Sequence, residues 1–175
     1  MEFLTDMAAK RAELTPDTVA FTDHDSGLAY TFSDINIRAN QLANCLLENG
    51  LSRGDRMAVL CHNHPDFFVL LFAAQKSGVF LVPLNWRQPV AELQPILHAS
   101  KSKVLFHDDA FAEAAQGLAA NTGLELVQLG ANDDGKSALN QYIAGSATSA
   151  PIAAGIKASA PWYLLYTSGT TGMPK

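Results

Sequence analysis

The chain has 175 residues, of which 48% are hydrophobic and 17% charged, and its net charge is −5. That length suits about one domain with a real core, and the composition is ordinary for a soluble globular protein. The 12 lysines and arginines form no long basic run, which argues against a nucleic-acid partner. The longest apolar runs, such as residues 67–74, are too short to span a bilayer, so no transmembrane segment is expected. The opening MEFLTDMAAKRAEL has no basic start leading into an apolar core, and no secretory signal is read there. Cys45 and Cys61 make no disulfide framework, so a reducing, cytoplasmic setting is expected.

Residues 2–14 place Phe3, Leu4, Met7, Ala8 and Leu14 on one face of a short helix, which Pro16 ends. Two short strands, 19–21 and 28–30, flank the turn residues Asp25, Ser26 and Gly27. A long helix follows, with Thr31 as its cap and Asp34 three residues on. Its apolar face is Ile35, Ala39, Leu42 and Leu46, and Gly50 stops it. Residues 56–61 are nearly all apolar, the pattern of a strand buried on both faces. Asn63, His64 and Pro65 then turn the chain into a helix over 66–77 that is apolar almost all round and must be sandwiched. Gly78 ends it and residues 79–84 are a second buried strand. The βαβ unit predicts parallel strands and a right-handed crossover. Further on come helix 89–100, strand 103–106, helix 109–120, strand 125–129 and a weak helix 137–144. Residues 145–160 are poor in charge and rich in Ala, Ser, Pro and Gly, and read as a surface connection. The apolar run 162–166 reads as a last strand. Alternating strands and helices give an α/β fold, a doubly wound, mostly parallel sheet flanked by helices.

The chain's final residues carry the chemistry. Tyr166 opens the run YTSGTTGMPK. Gly169 and Gly172 let backbone approach a ligand, Thr167, Ser168, Thr170 and Thr171 offer hydroxyls, and Lys175 adds a positive charge. Successive N–H groups in such a turn make a concave anion site, and the whole set suits a polyphosphate. The run is neither G-x-x-x-x-G-K-[ST] nor G-x-G-x-x-G, and the missing G-K-[ST] step argues against a P-loop NTPase. His62, His64, His98 and His107 do not repeat at a metal-ligand spacing, so no metal site is assigned to them. His64 reads as a turn or cap residue, and Cys61, at the end of a buried strand, as a small hydrophobe.

These ten residues resemble the phosphate-binding loop of the adenylate-forming (AMP-binding) superfamily, [YF]-T-S-G-[ST]-T-G-x-P-K. The likeness continues upstream. LAYTFSDI and RANQLANCL are similar to the family's first motif and the helix after it, with Asp34 where Glu is usual. QKSGVFLVPLNWR is similar to its second motif, and the ending Asn85-Trp86-Arg87 looks more like the acyl- and aryl-CoA synthetases than the peptide-synthetase adenylation domains. The resemblance implies an enzyme that activates a fatty or aryl carboxylic acid with ATP and Mg²⁺, as acyl-AMP, and passes it to CoA. It implies that Thr167, Ser168, Gly169, Thr170, Thr171, Gly172 and Lys175 cradle the ATP phosphates, in positioning rather than acid–base roles. Arg87 is either a surface arginine lying along an aromatic ring or a contact to a CoA phosphate. Residues 1–160 would be the N-terminal α/β subdomain and 161–175 a strand plus the phosphate loop. The acyl pocket, the Mg²⁺-binding Glu, the ribose-binding Asp and the C-terminal domain are expected in further chain, so the 175 residues alone are expected to be inactive. A homodimer is admitted. A non-enzymatic nucleotide-binding module, or a luciferase-like or peptide-synthetase member, are the other readings.

Overall fold

The structure is a computed structural model that describes residues 4–24, 26–120, 122–130, 137–151 and 156–166. The first helix, α1 (Met7–Leu14), begins later than the apolar spacing predicts, because the Asp6 carboxylate accepts from the Ala9 N–H and caps it there. β1 (Val19–Thr22) and β2 (Ala29–Thr31) form an antiparallel hairpin. Helix α2 (Phe32–Glu48) starts on the expected capping box: Thr31 Oγ1 accepts from the Asp34 N–H, and Asp34 accepts from the Thr31 N–H at 2.8 Å.

The main sheet has the order β4-β3-β5-β6, all parallel, built from β3 (Arg56–Leu60), β4 (Phe80–Pro83), β5 (Val104–His107) and β6 (Glu125–Gln128). Met57 pairs with Leu81 on one side and Val104 on the other. Each strand sends alternate side chains into two cores, which is why its sequence is a continuous apolar run. Met57, Val59, Leu81, Val104 and Phe106 meet α2 and helix α3 (Pro65–Ser77) on one face. Ala58, Leu60, Val82 and Leu105 meet α4 (Val90–Ser100) and α5 (Ala112–Ala119) on the other. The fold is therefore doubly wound, as the alternation predicts. No residue of α3 is exposed, in keeping with its all-round apolarity. Gly78 ends α3 at φ 76, a conformation that costs a residue with a Cβ.

The short helix α6 (Ala138–Tyr142) seats Leu139 in the α2/α3 core. The connection that follows it is strapped to α2. Asn40 Nδ2 donates to the Thr148 carbonyl (2.7 Å), and Asn44 Nδ2 donates to those of Ala147 and Ser149 (2.8 and 3.0 Å). The run 162–166 is not a full strand. It forms one parallel bridge, Tyr163 against Leu81, on the outer side of β4. The Leu81 N–H donates to the Trp162 carbonyl (3.2 Å), and the Leu164 N–H donates to the Leu81 carbonyl (2.8 Å). Trp162 holds the segment by a second route, its indole Nε1–H donating to the Leu71 carbonyl of α3 at 2.7 Å. Among the described residues no helix is long and apolar enough to cross a membrane.

Candidate functional site

In a doubly wound sheet, ligands bind beyond the carboxyl ends of the strands where successive crossovers leave toward opposite faces. Here that point lies between β3 and β5, since α3 leaves toward one face and α5 toward the other. The loops after β3, β4 and β5 meet there. His62 follows β3, Trp86 and Arg87 follow β4, and Asp108 and Phe111 follow β5.

Their side chains touch in sequence. Asp108 Oδ2 accepts from the His62 backbone N–H at 2.8 Å and lies 3.2 Å from His62 Nδ1. The His62 ring stands edge-on to Trp86, centroids 4.6 Å apart, and tilts against Phe111 at 4.7 Å. The Arg87 guanidinium carbon sits 4.0 Å over the Trp86 ring, a cation–π contact on an exposed side chain. Asn85 shapes the turn, its Oδ1 accepting from the Arg87 N–H at 3.1 Å. A cleft of about 440 Å³, bordered by Cys61, His62, His64 and Phe67 among others, opens beside His62. Burial, with the Asp108 and Asp66 carboxylates nearby, pushes the Cys61 thiol up to about 12. It is a packing group rather than a nucleophile.

Of the residues picked from sequence, Arg87 stands at this switch point. Thr167, Ser168, Gly169, Thr170, Thr171, Gly172 and Lys175 lie outside the described residues. The chain that leads to them is placed, because the bridge to Leu81 runs parallel to β4 and directs residues 163–166 toward the strands' carboxyl ends. Tyr166 packs on the same core as Leu84 and Trp86. His64 is the N-cap of α3, its Nδ1 accepting from the Asp66 N–H at 3.1 Å, as the turn pattern predicts. His107 meets the Asp108 carbonyl through Nδ1 at 2.9 Å, and His98 is exposed on α4. Sequence reasoning did not find His62 and Asp108 as a pair. They are 46 residues apart, and only the β3/β5 pairing brings them together.

Comparison with known proteins agrees with the geometry. The family model described as AMP-binding enzyme matches residues 8–175. The chain belongs to the AMP-binding enzyme family. Among its relatives is a feruloyl-CoA synthase of Amycolatopsis sp, 34% identical over 168 residues, covering 95% of this chain and 31% of the relative. Another is the fatty acid–[acyl-carrier-protein] ligase ScoC of Streptomyces coeruleorubidus, 32% identical over 149 residues, covering 85% of this chain and 28% of the relative. Among solved structures, the inhibitor-bound N-terminal domain of FACL13 from Mycobacterium tuberculosis superposes with a TM-score of 0.85 at 29% identity, covering 100% of this chain and 43% of that one. The chain thus spans about a third of the length of the curated relatives it matches.

Proposed function

We propose that this chain is the N-terminal part of an ATP-dependent acid–CoA ligase acting on a fatty or aryl carboxylic acid. In the first step a carboxylate oxygen attacks the α-phosphorus of ATP, the bond to the β-phosphate breaks, and pyrophosphate leaves with that bonding pair. In the second step the CoA sulfur attacks the acyl carbonyl of the adenylate, AMP leaves, and the thiol proton passes to solvent. The observation that carries this reading is the ten-residue match YTSGTTGMPK at the end of a segment bridged parallel to β4. Residues 1–160 serve as the scaffold and 161–175 as the ATP-phosphate element. Thr167, Ser168, Gly169, Thr170, Thr171, Gly172 and Lys175 hold the β- and γ-phosphates by donors and charge aimed at the leaving group. Arg87, stacked on Trp86 beyond β4, holds a phosphate of CoA, a role that suits a guanidinium fork. Mg²⁺ is the expected companion of ATP. No group of three or more His, Cys, Asp or Glu among the described residues could hold a metal ion, so no step is assigned to it here. The unpaired thiols of Cys45 and Cys61 support a cytoplasmic setting.

The experiment is a pair of half-reactions on the full-length protein. Acid-dependent exchange of labelled pyrophosphate into ATP, followed by thioester formation with CoA, is the expected result. Release of inorganic phosphate in place of pyrophosphate would overturn it. The ScoC relative supports a second reading, with a carrier protein as acceptor. Transfer to a phosphopantetheinyl carrier in preference to free CoA would favour that reading and remove the role given to Arg87.

A further inference from the structure

The switch-point contacts form a relay that ends on Arg87. We infer that Asp108 and His62 are positioning residues for Arg87, and that they set the affinity for the phosphate-bearing end of CoA. This rests on the reading of Arg87 as a CoA-phosphate contact.

An arginine on a surface loop has many rotamers, and a ligand that needs one of them must order the rest. Arg87 is exposed, yet its guanidinium carbon sits 4.0 Å over the Trp86 ring. The stack presents Arg87 only as well as Trp86 is itself held. Trp86 is walled by the edge-on His62 ring and, at 6.2 Å, by Phe111. His62 is about half exposed and would turn freely without a partner. Asp108 supplies one, with a single oxygen at both the backbone N–H and Nδ1 of His62. Asp108 is fixed to the sheet in turn. Its N–H donates to the Leu60 carbonyl at 3.3 Å, and its carbonyl meets His107 Nδ1. Rigidity therefore passes from β3 and β5 through Asp108, His62 and Trp86 to Arg87. Pre-ordering of this kind raises affinity with no added contact to the ligand.

The test compares His62→Ala, His62→Phe, Asp108→Ala and Arg87→Ala in the full-length protein. KM is measured for CoA and for dephospho-CoA, which lacks the 3′-phosphate. His62→Ala and Asp108→Ala should raise the CoA KM roughly three- to tenfold, the scale of one aromatic wall contact. The rise should fall on that KM rather than on kcat, and Arg87→Ala should raise it at least as far. His62→Phe keeps an aromatic wall but loses the Nδ1 contact to Asp108, so its KM should rise no further than that of Asp108→Ala. The indole N–H resonances of Trp86 and Trp162 in the same full-length protein, each assigned by its loss in Trp86→Phe or Trp162→Phe, give an independent readout. His62→Ala should shift the Trp86 signal and leave that of Trp162 in place, which also checks the fold. Arg87→Ala with no effect on CoA would remove the underlying reading and the relay with it. An effect of Arg87→Ala without one of His62→Ala would remove the relay alone. A His62→Phe clearly weaker for CoA than Asp108→Ala would make the imidazole a direct ligand contact and overturn the positioning role. An unmoved Trp86 resonance in His62→Ala would do the same to the wall contact.

Discussion

Asp66 is 1% exposed in its side chain and joins three elements at once. One oxygen takes the Arg38 guanidinium of α2, and the other takes the Gly130 N–H at 3.2 Å and faces His64 Nδ1 at 3.5 Å. Arg38 is itself buried, with Nε donating to Asn140 Oδ1 at 2.8 Å. Taking away one partner of such a pair strands the other charge away from water. Asp66→Ala should therefore cost about 3–5 kcal/mol, while the double change Arg38→Met with Asp66→Leu should recover most of it. Urea unfolding of the parent and the two variants decides the point, and a loss under about 1 kcal/mol would mean the pair is solvated. Neither residue is singled out by sequence reasoning, because their meeting depends on how α2 and α3 pack. Cys61 yields a second expectation. Its thiol ordinarily titrates near 9.0 and is pushed up to about 12 in the fold, so the folded chain keeps the proton that the unfolded chain gives up. Stability from this group is full below pH 9 and drains away as pH rises from 9 to 12. Alkylation by iodoacetamide at pH 8 should be about a thousandfold slower at Cys61 in the folded chain than in urea, following the thiolate fraction. Comparable rates in both states would contradict the burial.

Helix boundaries and docking show where local pattern suffices and where it fails. The strands β3, β4 and β5, the Thr31 capping box and the His64-Pro65 start of α3 are all legible from spacing and cap chemistry, since both act within a few residues. The start of α1 is not legible, because it depends on Asp6 and a partner far along the chain. Lys76 lies in the last turn of α3 with its side chain 1% exposed, and its ammonium meets Asp6 Oδ2 at 2.6 Å and Asn36 Oδ1 at 2.9 Å. Asp6 thus caps α1 with one oxygen and neutralises a buried cation with the other. Asp6→Asn keeps an acceptor for the cap, whereas Asp6→Ala loses both roles. The cap is worth about 1 kcal/mol, and an unpaired buried ammonium costs up to about 3 kcal/mol more. Thermal unfolding should rank the parent above Asp6→Asn, and that above Asp6→Ala, with faster amide exchange across Met7–Leu14 in the last. Equal melting of all three would mean that α1 docks by its apolar contacts alone. The run 162–166 fails in the other direction. Its apolar run is that of a strand, yet its outer side chains Tyr163 and Leu165 are 47% and 61% exposed, and only one residue pair closes onto β4. Pattern reports which residues favour an extended chain, and pairing needs a neighbour on each side.

At the scale of the whole molecule, scaffold and chemistry are separable. Both faces of the sheet are covered within the described residues, so the 175 residues have a core of their own. They match only about a third of the length of their relatives, and on the proposed function the groups that place the α-phosphate and the acid belong to the rest. Positioning supplies on the order of 7–11 kcal/mol of such a barrier, so the 175-residue chain alone should fold yet fail to exchange pyrophosphate into ATP. On the proposed function, Lys175 in the full-length protein is a charge aimed at the leaving group. As the α–β bond breaks, negative charge grows on pyrophosphate, and an ammonium beside it gains most at the transition state. A contact that strengthens toward the transition state lowers kcat when removed, while one equal in both states changes KM. Loss of one such donor typically costs about 3–4 kcal/mol. Lys175→Ala should slow adenylation by roughly a hundredfold or more, with a smaller change in the KM for ATP. Thioester formation begins after pyrophosphate has left, so a supplied acyl-adenylate should react with CoA at close to the parent rate. If that second step falls as far as the first, Lys175 serves both chemistries and its charge is not reserved for pyrophosphate.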